Sequence, residues 1–284
     1  MLDWQDPRQV AARFALRPSR RFSQNFLCNP QLVERIAACW PEADVRWHIE
    51  LGPGLGTLTR ALLRRGHRLV AIELDPKMCD VLRQELGPLP GLRLHAGDAV
   101  HVDVRQLLPG QARCRVIGNL PYGVTGAILR NLVAQADRLD SAHLLVQREV
   151  AQRLRAGVGT SAYGALTVFV QSVFAVTECF TLRPGNFFPP PKVHSSLVAL
   201  VPHVVPRAVL GDCFTALVRA AFGQRRKTLR QALAGVAKDR QMHLHWLAQA
   251  GIDARRRGES CSIEEFVRLA QVAQDAGTDA RQED

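Results

Sequence analysis

The sequence predicts an α/β protein, with a mostly parallel sheet that has an antiparallel end, joined to a small all-helical C-terminal domain. Three observations carry that prediction. Between Trp47 and Val146 short apolar runs alternate with amphipathic segments, and this βαβα order implies a sheet covered by helices on both faces. The run Glu50-Leu51-Gly52-Pro53-Gly54-Leu55-Gly56 separates the first strand of that series from its helix, where an open α/β sheet places a ligand. Beyond Pro202 to Pro206 every segment has helical periodicity, which puts a boundary near residue 205 and gives domains of 1–204 and 205–284.

In chain order, Arg8, Arg13, Arg17, Arg20 and Arg21 make a basic arm that runs into Phe22-Ser23-Gln24-Asn25-Phe26-Leu27. Leu32, Val33, Ile36 and Ala37 fall on one helical face that ends before Pro41. Strands are expected at Trp47 to Leu51, Leu69 to Ile72, Leu92 to Ala96, around Val116 and Ile117, and at Ala142 to Val146. Helices fall between and after them, at Leu58 to Leu63, closed by Gly66, then Met78 to Leu86, Thr125 to Ala136 and Glu149 to Arg155. The polar loop Gly157 to Ser161 leads to a helix over Ala165 to Ser172. Val173 to Leu182 and Ser195 to Val201 read as strands flanking a proline-rich connection, close enough in sequence to pair antiparallel. The C-terminal helices are Leu210 to Phe222, Thr228 to Ala237, His243 to Ala250 and Ile263 to Ala273.

Composition narrows the function classes. No apolar run approaches the roughly 18 to 20 residues of a membrane span, and the N-terminus lacks an apolar signal segment, so a cytoplasmic protein without a membrane role is expected. The seven cysteines are odd in number and form no C-x-x-C pair, which argues against a disulfide framework or a metal knuckle. A net charge of +11 points to a polyanionic partner, nucleic acid first. That charge is placed, because residues 206–260 hold 11 basic against 4 acidic side chains.

The residues that carry chemistry recur at strand ends. Glu73 closes the second strand in Ile72-Glu73-Leu74-Asp75, Asp98 follows the third, and Asn119 follows the fourth; from Glu50 the intervals are 23, 25 and 21 residues, one strand-helix unit each. All of them point into one cleft. A carboxylate at Glu73 suits both hydroxyls of a ribose, and one at Asp98 suits an adenine amine. Thr57 stands where the dinucleotide fingerprint wants its third glycine, which weakens a nicotinamide reading. Asn119-Leu120-Pro121-Tyr122 offers a side-chain carbonyl, main-chain carbonyls and a flat ring, the groups needed to hold a planar amine. Asn and Pro are also ordinary turn residues.

The glycine run with Glu73 and Asp98 resembles the S-adenosylmethionine-dependent methyltransferases. That resemblance implies a Rossmann-like domain in which Gly52, Gly54 and Gly56 line the methionine portion of S-adenosyl-L-methionine, Glu73 the ribose and Asp98 the adenine. Four further motifs occur in order: Arg21 to Leu27, Asn119 to Tyr122, Phe187-Phe188-Pro189-Pro190-Pro191-Lys192-Val193-His194-Ser195, and Phe222-Gly223-Gln224-Arg225-Arg226-Lys227-Thr228-Leu229-Arg230. Together they are similar to those of the small-subunit ribosomal RNA adenine dimethyltransferases, the KsgA/RsmA family, over residues of about 17 to 270. Ser23 replaces the usual Gly there, and Gly123 stands where Asn or His commonly follows the Tyr.

What the resemblance implies is an enzyme that dimethylates N6 of two adjacent adenosines near the 3′ end of 16S rRNA in the assembling small ribosomal subunit. Asn119, Leu120, Pro121 and Tyr122 are its expected catalytic residues, Asn25, Leu27 and Asn119 add to the cofactor contacts, and no metal is expected. Phe187 or Phe188, held by the prolines, would wall the target base against Tyr122; the family motif aligns Phe187. Arg225, Arg226, Lys227 and Arg230 read as a solvated helix end or as a phosphate contact, and Arg219 with Arg255 to Arg257 favours the contact. A monomer is expected. Two rivals remain: a large-subunit dimethyltransferase of the macrolide-resistance type, and an assembly factor whose binding outweighs its catalysis.

Overall fold

The computed structural model describes residues 2–19, 22, 24–41, 43–236 and 241–279. Arg20, Arg21, Ser23, Lys238 and the end of the acidic tail lie outside the described residues. The chain divides into two compact units, Met1–Ala151 with Val176–Pro202, and Gln152–Ala175 with His203–Asp284. The single boundary expected near 205 therefore needs a correction, since residues 152–175 join the helical unit. Apolar packing is the reason: Tyr163, Val168 and Phe169 are buried in one cluster with Phe214, Leu217 and Phe266.

The first unit begins with helix α1 (Pro7–Arg13), which the basic composition of the arm concealed. Asp6 caps it by accepting from the Arg8 N–H, and Pro7 occupies the first turn, where a missing N–H costs nothing. Strand β1 (Phe26–Leu27) follows, then α2 (Pro30–Ala37), begun by the same device at Asn29 and Pro30. Strand β2 (Trp47–Leu51) leads to α3 (Thr57–Arg64), β3 (Arg68–Glu73) to α4 (Pro76–Glu85), and β4 (Leu92–Ala96) to the short α5 (Val104–Leu107). Asp75 and Pro76 repeat the capping device at α4. Then come β5 (Cys114–Asn119), α6 (Thr125–Ala134), β6 (Leu139–Gln147) and α7 (Arg148–Leu154). Helix α8 (Ala165–Val173) belongs to the second unit; β7 (Phe174–Leu182), β8 (Phe187–Phe188) and β9 (Ser195–Pro202) complete the strands.

Seven strands form one sheet in the order β4-β3-β2-β5-β6-β9-β7. The pairs from β4 to β6 are parallel and β9 is antiparallel to β6, so the expected sheet with its antiparallel end is present. The order reverses between β2 and β5, which opens a crevice at their C-terminal ends. Leu62, Leu69, Leu82 and Ile117 are fully or nearly fully buried in the cluster beneath that crevice. Each such side chain contributes about 1.5–3 kcal/mol on burial, which makes the strand ends a rigid platform.

The second unit contains α8, α9 (Asp212–Gly223), α10 (Leu229–Ala232), α11 (Met242–Gln249) and α12 (Ile263–Asp279). Its aromatic core sets Phe222 5.8 Å from Tyr163 and 5.9 Å from Phe266 between ring centroids. Helix α10 is a single turn where a longer helix was expected over Thr228 to Ala237; Gly235 disfavours continuation, and Ala237 lies outside the described residues. Ser262 and Glu265 close the start of α12 with reciprocal side-chain to backbone hydrogen bonds of 3.2 and 2.8 Å.

Candidate active site

A cavity of about 290 Å³ opens at the C-terminal ends of β2 and β5. In the parallel ladder Leu51 stands beside Gly118, so the loops beginning at Gly52 and Asn119 leave the sheet as neighbours. Gly52, Gly54, Glu73, Asp98 and the stretch Asn119 to Tyr122 all line it, and Asn25 and Leu27 reach it from the N-terminal segment. One fold feature thus gathers residues that span almost a hundred positions of sequence.

Two glycines have separate reasons. Gly54 has φ +56°, and a Cβ there would stand 2.8 Å from the Phe26 ring, so only glycine lets the N-terminal segment lie this close to the loop. Gly56 does not line the cavity, which corrects its expected place on the methionine portion. It has φ +77° at the start of α3, and a Cβ would meet Leu86 and Leu82 at 2.9 and 3.0 Å. Its role is packing against α4.

Glu73 is 8% exposed, and its carboxylate already accepts three backbone N–H groups: Gly54 at 3.0 Å, Leu74 at 3.0 Å and Asp75 at 2.9 Å. Burial raises its pKa, and the three N–H groups oppose that rise without cancelling it. A carboxylate has about four acceptor sites, so Glu73 retains one, on the oxygen that faces Gly54. Asp98 uses one oxygen to cap the turn at Val100, 2.9 Å away, and keeps the other.

The Asn119 side-chain amide donates to the Asn25 carbonyl at 2.7 Å, which leaves its Oδ1 as an acceptor. The Pro121 carbonyl is engaged by the Val124 N–H at 3.2 Å and the Thr125 hydroxyl at 3.0 Å. Leu120 is anchored by its own N–H, which donates to the Leu145 carbonyl at 3.1 Å, while its carbonyl accepts from no described residue. Tyr122 is half-buried at the cavity wall with its hydroxyl 2.8 Å from that of Ser195.

Phe187 is elsewhere. Strand β8 pairs antiparallel with β1, setting Leu27 opposite Phe187 and Phe26 opposite Phe188. Directly opposed side chains share a face, so Phe187 joins Leu27 in the core beneath the sheet ends, and Phe188 packs with Phe26 against Val10 and Met78. Phe187 is 1% exposed and does not line the cavity, which corrects its expected role as a wall of the base site.

The features of this cavity fit S-adenosylmethionine. Two left-handed glycines at the cavity wall, Gly52 and Gly54, unused carboxylate oxygens on Glu73 and Asp98, and an orphaned buried oxygen on Glu50 suit a cationic nucleoside. The profile described as "Ribosomal RNA adenine dimethylase" matches residues 16–275. The chain belongs to that family. A "Ribosomal RNA small subunit methyltransferase A" of Methylococcus capsulatus is 41% identical, the match covering 89% of this chain and 96% of the relative. One of the same name from Geobacter metallireducens is 39% identical over 90% and 96% of the two chains. The crystal structure of a dimethyladenosine transferase from Plasmodium falciparum shares the fold, with a TM-score of 0.72, 24% identity and coverage of 89% of this chain and 98% of that one. The structure of the 23S rRNA methyltransferase ErmE has a TM-score of 0.62 and 25% identity, covering 88% of this chain and all of the other. Membership of the adenine dimethylase family makes this an enzyme that transfers methyl groups from S-adenosylmethionine to adenine of ribosomal RNA.

In this dimethylase Glu50 is the strand-end residue to which sequence reasoning gives no role, although it begins the glycine run. Glu50 is 1% exposed and lines the cavity, its Oε2 takes no hydrogen bond from a described residue, and burial pushes its pKa up to about 8. Directly before Leu51 and Gly52 it reads as a strand end alone; a lone acid in a buried parallel strand is the available signal. In the second unit Arg225, Arg226 and Lys227 form an exposed turn between α9 and α10. The chain beside it runs through Ala254 and Arg256, whose carbonyls accept from the Arg230 and Leu229 N–H groups at 2.9 and 2.7 Å. Arg255 and Arg257 are exposed on that neighbouring segment. Arg225 is tied to the Ser161 carbonyl, whereas Arg226, Lys227 and Arg230 have no carboxylate partner among the described residues.

Proposed function

We propose that this enzyme dimethylates N6 of two adjacent adenosines near the 3′ end of 16S rRNA, acting as a cytoplasmic monomer on the assembling small subunit. The small-subunit reading is supported by relatives of 36 to 41% identity that carry that name, against 25% for the 23S rRNA methyltransferase. It is also supported by the exposed basic turn at Arg225, Arg226, Lys227 and Arg230, which suits the phosphates of a folded RNA.

The observation that carries the mechanism is the pair of free acceptors at Asn119 Oδ1 and the Leu120 carbonyl. S-adenosylmethionine would supply an electrophilic sulfonium methyl, with the neutral thioether as the leaving group when the carbon–sulfur bond gives way to the carbon–nitrogen bond. The N6 lone pair of adenine is delocalised into the ring, so its nucleophilicity depends on how the amine is held. Asn119 Oδ1 and Leu120 O each accept one N6–H, draw it out of the ring plane and aim the lone pair. The cationic amine formed on attack is acidic enough to lose its proton to water or to one of these acceptors, and no strong base is required. Glu50 would balance the positive charge of the methionine ammonium, Asp98 would accept from the adenine amine, and Glu73 would accept one ribose hydroxyl through its last free lone pair.

The same nitrogen must react twice. After one transfer only one N6–H remains, so one acceptor loses its partner. Stacking on Tyr122 does not depend on the state of N6 and holds the base at about 1–3 kcal/mol. The decisive experiment is incorporation of labelled methyl into isolated small and large subunits, with the modified nucleoside identified by mass spectrometry. Dimethyladenosine in 16S rRNA is the expected product; label in 23S rRNA alone would overturn the assignment.

A further inference from the structure

Tyr122 follows the buried anchor Leu120, and little holds it from the other side. A Cβ at Gly123 would find no atom within 4 Å, and Val124 is 39% exposed. The ring is half-buried, and among the described residues its one polar tether is the 2.8 Å hydrogen bond between its hydroxyl and Ser195 Oγ. Ser195 is itself immobile. It is 1% exposed, stands opposite Gln147 in the β6–β9 ladder, and follows a residue whose carbonyl accepts from the Arg148 N–H at 3.0 Å. Its neighbour Ser196 faces the other way, where its hydroxyl donates to Glu178 at 2.8 Å, as alternation along a strand requires.

We propose that Ser195 is a positioning residue for both methyl transfers: its hydroxyl fixes the tilt of the Tyr122 ring, and with it the plane on which the target base stacks. This rests on Tyr122 being the stacking surface. The phenol oxygen lies on the axis of the ring, so the tether stops the ring from swinging about its first side-chain torsion, and the preference of the phenolic O–H for the ring plane sets the rotation about the second. Burial raises the Tyr122 pKa, so the phenol stays protonated and the bond stays in place through the neutral range. A correctly tilted ring matters most for the second transfer, when one acceptor contact to N6 has been lost.

The test compares Tyr122→Phe, Ser195→Ala and the double variant with Tyr122→Ala and Ser195→Thr. Mono- and dimethyladenosine are measured in digested RNA at partial turnover, together with kcat, KM for RNA and melting temperature. Tyr122→Phe keeps the stacking face and loses only the hydrogen bond, so it stands even where Ser195→Ala fails to fold. Either single change is expected to raise the mono-to-dimethyl ratio roughly three- to tenfold, the rate effect of one hydrogen bond, with the double variant no worse than either. Ser195→Thr keeps the hydroxyl and restores the ratio. If Tyr122→Ala raises the ratio while Tyr122→Phe and Ser195→Ala leave it unchanged, Ser195 has only a structural role and the inference is wrong although stacking survives. An unchanged ratio in Tyr122→Ala removes the stacking reading itself, and additive effects in the double variant also overturn the coupling.

Discussion

The side-chain amide of Asn119 donates to the main-chain carbonyl of Asn25 across 2.7 Å, and this bond joins the proposed chemistry to the segment that covers the cavity. Replacing Asn119 with Ala removes both the acceptor for N6 and the donor that holds Asn25. Asn119→Asp is worse for the second task, because a carboxylate oxygen then faces the Asn25 carbonyl. Cofactor affinity should fall by about 1–3 kcal/mol in Asn119→Asp and by less in Asn119→Ala, while both methyl transfers slow and RNA affinity stays nearly intact. Isothermal titration of each variant with S-adenosylmethionine decides the matter. Affinities within twofold of wild type would show that the bond does not hold the segment.

Phe187 separates a packing role from a stacking one. Its ring is buried beside Leu27, so Phe187→Ala removes core volume and should destabilise the protein by about 3–5 kcal/mol. At temperatures where the variant remains folded, its mono-to-dimethyl product ratio should match wild type. A variant of unchanged stability with a shifted ratio would instead return Phe187 to the base site.

Much of the fold and of the site is legible in the sequence, for identifiable reasons. Glu73, Asp98 and Asn119 were legible because each parallel strand delivers its last residue to the same edge of the sheet, and spacing alone counts the strands. The place of Phe187 is not legible, because two adjacent aromatics on a two-residue strand alternate in direction, and which one faces inward depends on a partner strand far away in sequence. The role of Gly56 is not legible either, because a glycine needed for packing against Leu82 and Leu86 has the same letter as one needed by a ligand. The allegiance of residues 152–175 was hidden because amphipathic periodicity shows that a helix has an apolar face and not what covers it.

The basic turn of the second unit makes a prediction about salt. Arg226, Lys227 and Arg230 are exposed cations without carboxylate partners among the described residues, whereas Arg255 is paired with Asp253 and Arg256 with Glu265. Changing those three together to Ala should weaken RNA binding and reduce the slope of log K against log salt by roughly 2, the loss expected for three phosphate contacts. Cofactor binding should not change. An unaltered slope measured by filter binding over a salt series would make the turn a merely solvated surface.

The pH dependence of stability should have two limbs of opposite sign, with separate residues behind each. Burial lowers the pKa of His48 and of His143 to about 4, from a usual 6.5, so the unfolded chain binds more protons than the folded one between those values. Stability from these histidines is complete above 6.5 and is lost as pH falls towards 4. Glu50 behaves in reverse: burial, with Glu73 as a further anionic neighbour, raises its pKa from 4.5 to about 8, and the folded chain holds the extra proton. Its contribution is complete below 4.5 and is lost as pH rises through 8. Glu50→Gln keeps the shape and removes the titration, so without added cofactor it should match wild type near the acid end of that range and exceed it near pH 8 by on the order of a few kcal/mol. On the proposed pairing of Glu50 with the methionine ammonium, S-adenosylmethionine should raise wild-type stability at alkaline pH more than that of Glu50→Gln. Urea unfolding across the pH range, with and without the cofactor, reads all three effects, and parallel curves for the two proteins would show that Glu50 is not the group responsible for the alkaline limb.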